Sequence, residues 1–189
     1  MSPTPYALEE MIAAAGRAGG RGLPPVHLWN PAHCGEIDIV IRRDGTWLHQ
    51  GSPIGRAPLV RLFSTILRKD ADGFHLVTPV EKLRIVVEDA PFVAVSVERA
   101  GEALAFVTNV GDRIEAGPEH PIRVETDPAT GEPRPYLHVR GALEALISRP
   151  VFYELAAWAE TVEDAAGARL EIASGGARFS LGALEEVGA

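Results

Sequence analysis

A chain of 189 residues, 46% hydrophobic and 23% charged, is apolar enough to bury a core as one large domain or two small ones, which excludes disorder as the default. The formal charge of −8, from 26 acids against 18 bases, repels phosphate backbones, and no basic stripe offsets it, so a nucleic-acid polymer is excluded as a partner. No apolar run approaches the roughly 18 residues that span a bilayer, the opening MSPTPYALEEMIAAAG lacks the cationic flank of an export signal, and the single Cys34 excludes an internal disulfide, so a cytoplasmic, bacterial-style protein is expected.

Thr4 as N-cap and Pro5 at the first helical position predict a short helix with Leu8, Met11, Ile12 and Ala15 as its apolar stripe, ending from Gly16. GRAGGRGLPP, residues 16–25, reads as a tether, and it is no phosphate loop because no strand precedes it and no helix follows. Residues 1–25 therefore form an N-terminal appendage to a body expected to divide into halves at 26–80 and 81–189.

From Glu36, EIDIVIRRDGTWLHQ points Ile37, Ile39 and Ile41 inward and places Asp44-Gly45 where a two-residue type I′ turn wants positive φ. That hairpin sets Arg42 opposite Trp47 and Val40 opposite His49, so Arg42, Trp47 and His49 share the face that the isoleucines leave free. The stretch GSPIGRAPLVRLFSTILRK then predicts a loop and a helix from about Pro58 to Lys69, with Leu59, Leu62, Phe63, Ile66 and Leu67 on its apolar face and Arg61, Ser64, Thr65 and Arg68 on its wet one.

DADG turns the chain into FHLVTPV, KLRIVVED, FVAVSVERAG and ALAFVTNVG, strand-like runs that read as an antiparallel meander. IRVETD and PYLHVR predict a hairpin, Ser148 caps a helix with Val151, Leu155, Trp158 and Val162 in its stripe and an end near Gly167, and RLEIA and ARFSL form a last hairpin through SGG. The order hairpin, Gly51, helix, strand pair is repeated as hairpin, Gly141, helix, hairpin, and Trp47-Leu48-His49 recurs as Tyr136-Leu137-His138. The pattern is α+β: two similar halves, each of antiparallel strands with one main helix.

The loop at 51–56 is the first candidate site. Its backbone from Gly51 to Gly55, through Ile54, with the Ser52 hydroxyl, precedes the positive end of a helix, where N–H groups can cradle an anion. Arg56 and Arg61 would pair with that anion, Trp47 would stack on a base, and Thr78, Glu81 and Lys82 would complete the rim. No lysine follows the glycine, so this is not a nucleotide P-loop.

His27, His33, Cys34, Glu36 and Asp38 are metal-ligand types without metal-ligand spacing, so no metal is expected there, and Cys34 reads as a partly buried thiol. Glu81, Glu88 and Asp89 sit at strand ends, where a carboxylate could act as a base. No Gly-x-Ser-x-Gly motif or ordered triad is present, which weighs against a hydrolase.

Residues 29–92 resemble a bacterial family known as domain of unknown function 1285, through Trp29-Asn30-Pro31, Gly35-Glu36-Ile37-Asp38, Asp44-Gly45-Thr46-Trp47, Gly51-Ser52-Pro53-Ile54, Leu59-Val60-Arg61-Leu62-Phe63-Ser64 and Thr78-Pro79-Val80-Glu81-Lys82. The resemblance implies a duplicated α+β core whose C-terminal half is like a pleckstrin-homology fold. It further implies a ligand site between the halves for a nucleotide-like molecule, and a role in signal transduction under oxidative stress.

Sequence and resemblance together predict a regulatory protein that binds a small anionic, nucleotide-like ligand. The alternatives are a hydrolase or transferase using one of the three carboxylates, and a module that docks a protein partner. No cofactor is named by any motif.

Overall fold

The computed structural model describes residues 6–18, 22–165 and 167–184. The chain divides into two compact units, one of residues 1–91 with 141–143 and one of 92–140 with 144–189.

The first unit opens with α1 (Tyr6–Ala18), which buries Met11, Ala14 and Ala15. Thr4, Pro5 and the side chain of Leu8 lie outside the described residues. The helix runs past Gly16 to Ala18, into the stretch expected to be a tether, and a 3₁₀ turn at Val26–Leu28 follows that stretch.

Strands β1 (His33–Ile41), β2 (Trp47–His49) and β3 (Ser52–Pro53) form a meander, followed by α2 (Ala57–Thr65) and a second meander of β4 (Leu67–Asp70), β5 (Gly73–Val77) and β6 (Glu81–Val87). They make one sheet in the order β3-β2-β1-β6-β5-β4, in which β1 and β6 run parallel. Because β6 pairs with both β1 and β5, the unit extends to Pro91, beyond the boundary expected after residue 80.

The predicted helix to Lys69 is cut short. Ile66, with φ −103° and ψ 9°, leaves the helical region, and Leu67 pairs with Leu76 as a strand. The apolar spacing of Phe63, Ile66 and Leu67 fits a helix, but burying Leu67 through a hairpin satisfies the same residues and pairs their backbone as well. Ser64, expected on the wet face, is buried and donates its hydroxyl to Arg61 O at 2.7 Å.

The second unit holds β7 (Phe92–Ala100), β8 (Ala103–Thr108), β9 (Arg113–Glu115), β10 (Ile122–Thr126), β11 (Pro133–Arg140) and β12 (Leu143–Ile147), ordered β10-β11-β12-β7-β8-β9 with β12 and β7 parallel. Then come α3 (Arg149–Trp158) and a three-stranded sheet of β13 (Glu160–Asp164), β14 (Gly167–Ser174) and β15 (Ala177–Ala183). Val162, predicted on the helix, is on β13, because Ala159 turns extended and residues 160–164 pair with β14. The buried Ser174 accepts from Leu104 N at 2.8 Å and donates to Ala116 O at 2.7 Å, which ties β14 to β8.

The two sheets share one plan. Adding six to each strand number in the first order gives the second, read from the other edge. The halves are therefore similar, as expected, but the match lies in topology: Trp47-Leu48-His49 is β2 and its counterpart is β8, whereas Tyr136-Leu137-His138 is on β11. The expected all-antiparallel meander is also corrected, since β6 and β7 belong to different sheets and each sheet closes through a parallel pair. Such pairs join distant stretches, for which local pattern gives no signal. Among the described residues no helix is long and apolar enough to cross a membrane.

Candidate functional site

The hairpin that was to present Trp47 has a longer loop than a type I′ turn. Arg42 N donates to Thr46 O at 2.9 Å, Thr46 N donates to Asp44 Oδ1 at 2.9 Å, and Gly45 takes φ +85°. Three residues, 43–45, form the loop, so Ile41 rather than Arg42 faces Trp47 and Ile39 faces His49. A one-residue shift moves every side chain of a strand to the other face. Trp47 therefore lies on the isoleucine side, 2% exposed, with its ring stacked on Phe63 at 6.3 Å between centroids. It has no free face for a base. Its Nε1 has no hydrogen-bond partner among the described residues.

The primed turn is one step further on. Gln50 (φ 50°) and Gly51 (φ 76°) join His49 to Ser52, which makes Ser52–Pro53 the edge strand β3. Ile54 N donates to Trp47 O at 2.8 Å and Pro53 has no N–H, so this backbone closes the sheet instead of converging on an anion. Arg56 is the exposed N-cap of α2 with no side-chain capping bond, and Gly51, Ser52, Gly55 and Arg61 are exposed.

The other half of the predicted rim is elsewhere. Three strand spacings separate β3 from β6, roughly 14 Å at the usual distance between strands. Thr78 is fully buried and locks the β5–β6 turn: its Oγ1 accepts from Glu81 N at 3.2 Å, and its N donates to Glu81 O at 2.9 Å. It is a turn residue, not a rim residue. Lys82 Nζ is committed to Asp70 Oδ2 at 2.7 Å. The structure thus sets Ser52 and Pro53 at the far edge of the sheet from Thr78, Glu81 and Lys82 on the β5–β6 turn.

Of the three candidate carboxylates, two serve a loop. Glu88 Oε2 accepts from Arg43 N at 3.0 Å, and Asp89 lies 3.7 Å from Arg43 Nε. Glu81 differs: burial pushes its carboxyl above the usual range, His33 opposes that shift, and Glu10 adds to it. Cys34, expected to be partly buried, is exposed.

The one irregularity of the first sheet's centre opens a groove. Along β1 and β6 the register runs from His33↔Glu81 to Glu36↔Arg84, then resumes at Val40↔Val86. Three residues of β1 thus stand against one of β6, and the strands part there. A groove of about 320 Å³ results, lined by Glu36, Ile37, Asp38, Ile39, Arg84, Ile85 and Val86. Ile37, Ile39 and Ile85 face the core, while Glu36, Asp38, Arg84 and Val86 are exposed. Among the described residues, the side chains of Glu36, Asp38 and Arg84 form no hydrogen bond or ion pair. Two carboxylates and one guanidinium therefore border the gap with their hydrogen-bonding capacity unspent.

On the same face, the β4–β5–β6 strands carry a charged cluster that sequence reading missed. Arg68 donates to both oxygens of Asp70, at 2.8 and 2.9 Å, and to the carbonyls of Val26 and Trp29 at 2.8 and 2.7 Å. Arg68 was expected on a wet helix face; as a strand residue opposite His75 it clamps the 3₁₀ turn onto the sheet. Burial disfavours the Asp70 carboxylate, but hydrogen bonds from Arg68 and Lys82 outweigh it and hold its pKa at about 2. His75 is 3% exposed; burial first, then Lys82, pushes its pKa down, against the pull of Asp72, Asp70 and the Gly73 backbone.

This fold and its motifs match known proteins. Residues 24–90 match the domain described as "Domain of unknown function (DUF1285), N-terminal domain", and residues 91–181 match "Protein of unknown function (DUF1285), C-terminal domain". The chain belongs to the DUF1285 family. A crystal structure of a DUF1285 family protein from Silicibacter pomeroyi DSS-3 is similar with TM-score 0.83 and 52% identity over 94% of this chain and 97% of that one. A DUF1285 family protein from Shewanella baltica OS155 is similar with TM-score 0.50 and 29% identity over 61% of this chain and 87% of that one. No curated protein matches.

The boundary between the two DUF1285 domains, at 90/91, falls where the compact units divide. Of the strings on which the resemblance rests, Gly35-Glu36-Ile37-Asp38 spans the point after Glu36 where β1 parts from β6, and Thr78-Pro79-Val80-Glu81-Lys82 is the turn that begins β6. Arg84 carries no motif. Only its alternation in KLRIVVED marks it as outward-facing.

Proposed function

We propose that this DUF1285 chain is a ligand-binding regulatory protein whose ligand seats in the groove between β1 and β6 of its first unit. The observation that supports it is the parted parallel pair, bordered by Glu36, Asp38 and Arg84 with no partner among the described residues. Ligand sites tend to be concave, apolar at the floor and furnished with a few convergent polar groups, and bulges recur beside such sites. Two acids against one base change the expected ligand. A polyphosphate would be repelled by Glu36 and Asp38, whereas a small molecule with an amino or guanidino group and one acidic group would satisfy all three. Binding of such a metabolite is the input a signalling role would need.

A second reading rests on Glu81. A buried carboxyl with a raised pKa beside His33 is suited to general acid–base work. A third is adaptor function through a pleckstrin-like second unit, for which Val95 on β7, Tyr153 on α3 and Leu184 are exposed large apolar side chains.

The test is thermal unfolding with amino acids, diamines, guanidino acids and nucleotides, on wild type, Arg84→Ala, Glu36→Gln and Arg56→Ala. A ligand at about 100 times its Kd stabilises by about 2.7 kcal/mol, or roughly 5–10 °C for a chain of this size. The reading expects a shift with a zwitterionic member that Arg84→Ala and Glu36→Gln abolish and Arg56→Ala leaves intact. A shift with nucleotides that only Arg56→Ala removes would return the site to the 51–56 loop. Turnover of the stabilising ligand, lost in Glu81→Gln, would make the chain an enzyme.

A further inference from the structure

We propose that Asp70, Asp72 and His75 form a binding site for a divalent first-row transition metal ion, with Lys82 as its built-in competitor. The site adjoins the groove, since His75 stands opposite Arg84 across β5 and β6, but it shares none of the groove's lining residues and does not depend on a ligand there.

Local structure assembles the donors. The two-residue turn Ala71-Asp72 pairs Asp70 with Gly73 and sets Arg68 against His75, which brings both carboxylates over the imidazole. One donor atom from each of the three residues lies within 4.8 Å of the others. Acidic residues gathered at a turn are ordinary; the histidine is not. His75 is 3% exposed, and its Nδ1 is buried without a hydrogen-bond partner among the described residues. Both ring nitrogens face the carboxylates, Nδ1 at 3.8 Å from Asp70 Oδ2 and Nε2 at 3.4 Å from Asp72 Oδ2. A buried nitrogen left unsatisfied costs stability unless a partner arrives, and a metal ion is a partner that the two acids would welcome.

Lys82 shows that the cluster converges on a cation. Its Nζ stands 2.7 Å from Asp70 Oδ2 and 3.8 Å from Asp72 Oδ1. An ion entering would displace the ammonium, whose side chain is one-fifth exposed. With Arg68 retained, the two carboxylates offset the charge of a divalent ion, while Arg84, exposed opposite His75, adds a positive charge that solvent screens. The imidazole argues against Mg²⁺ and Ca²⁺, which prefer all-oxygen shells, and the absence of thiolate argues against soft Cu(I). Three protein donors would leave positions for water.

The experiment is isothermal titration of the full chain with Zn²⁺, backed by the visible spectrum after Co²⁺ addition. Wild type should take up one equivalent. His75→Gln and Asp72→Asn should weaken binding at least tenfold, and Lys82→Met, which removes the competitor, should tighten it several-fold. Asp72 is exposed, so its variant folds even if the buried His75 substitution does not. Absence of one-to-one binding, equal binding by Asp72→Asn, weaker binding by Lys82→Met, or binding abolished by Cys34→Ser instead would each overturn the site.

Discussion

The two six-stranded sheets are built to one plan and finished differently at the same place. Each joins its two meanders through a parallel pair of its first and last strands. In the second unit that pair keeps register, Ala145↔Phe92, Leu146↔Val93 and Ile147↔Ala94, and all six side chains are apolar. In the first unit the pair carries Cys34↔Lys82 and Glu36↔Arg84, then parts before Val40↔Val86. Topology alone therefore does not make a groove. The second sheet places its irregularity between β7 and β8, at Ala94/Ser96, away from the parallel junction. Charged residues and a parted register at the junction are what distinguish the unit with a candidate site from the unit without one.

The largest expected effect tests whether the two sheets have equivalent cores. Trp47 on β2 and Phe106 on its counterpart β8 are both essentially fully buried. Replacing either by alanine should cost about 3–5 kcal/mol, as for other buried aromatics, read as a fall in the urea midpoint. If Trp47→Ala were nearly neutral, the tryptophan would have to be available to a ligand and the register given above would be wrong.

The next effect concerns charge. Asp70 holds Arg68, which in turn holds the carbonyls of Val26 and Trp29. Asp70→Asn leaves two partly buried cations without their carboxylate, at a cost of about 2 kcal/mol. The second sheet has an exposed analogue in Arg123, which donates to Glu144 at 2.6 Å through both Nε and Nη2. Glu144→Gln should cost less than about 1 kcal/mol, as surface pairs do. Equal losses would remove the distinction between a structural network and a solvated one.

How much of this was legible follows from where the signals lie. Alternation in EIDIVI and KLRIVV marked strands and their inward faces correctly, because burial of Ile37, Ile39, Leu83 and Ile85 is written every second residue. Asp44-Gly45 was read as the wrong turn, since a glycine at positive φ serves a three-residue loop as well as a type I′ turn, and that single residue of loop length moved Trp47 from site to core. The helix overran into β4 because Ile66 and Leu67 satisfy either period. Of the candidate sites, Lys82, Glu36 and Asp38 were visible as chemistry but not as neighbours. Arg84 and His75 were not visible as chemistry at all, since the parallel pairing and the β4–β5 hairpin that place them are non-local or were assigned to helix.

Glu81 gives the pH test. Its carboxyl titrates higher in the folded chain than in the unfolded one, so between those two values the folded state binds more protons. Stability should therefore fall as pH rises through that window, and the loss persists at neutral pH as the cost of a buried carboxylate. Glu81→Gln should flatten this part of the profile and be the more stable protein at pH 7, measured by urea unfolding at several pH values. None of the six residues in register across the second sheet's parallel junction is ionisable, so substitutions at Leu146 or Val93 should leave the profile unchanged.

The smallest expected effect is the one that bears most on function. Arg84 and Glu36 face each other across the parallel pair, exposed and without partners among the described residues, so removing either charge should change stability by no more than about 0.5 kcal/mol. A residue that contributes nothing to folding yet abolishes ligand-induced stabilisation must act on the ligand. If Arg84→Ala instead costs as much as Asp70→Asn, the guanidinium belongs to the sheet's own electrostatics, and the parted register is a feature of packing. The fitting control is to close the groove rather than neutralise it. Replacing Glu36 by leucine puts an apolar side chain beside exposed Val86, as the second sheet does with Leu146 and Val93. That variant should keep the fold and lose the ligand, which would make the first junction behave like the second.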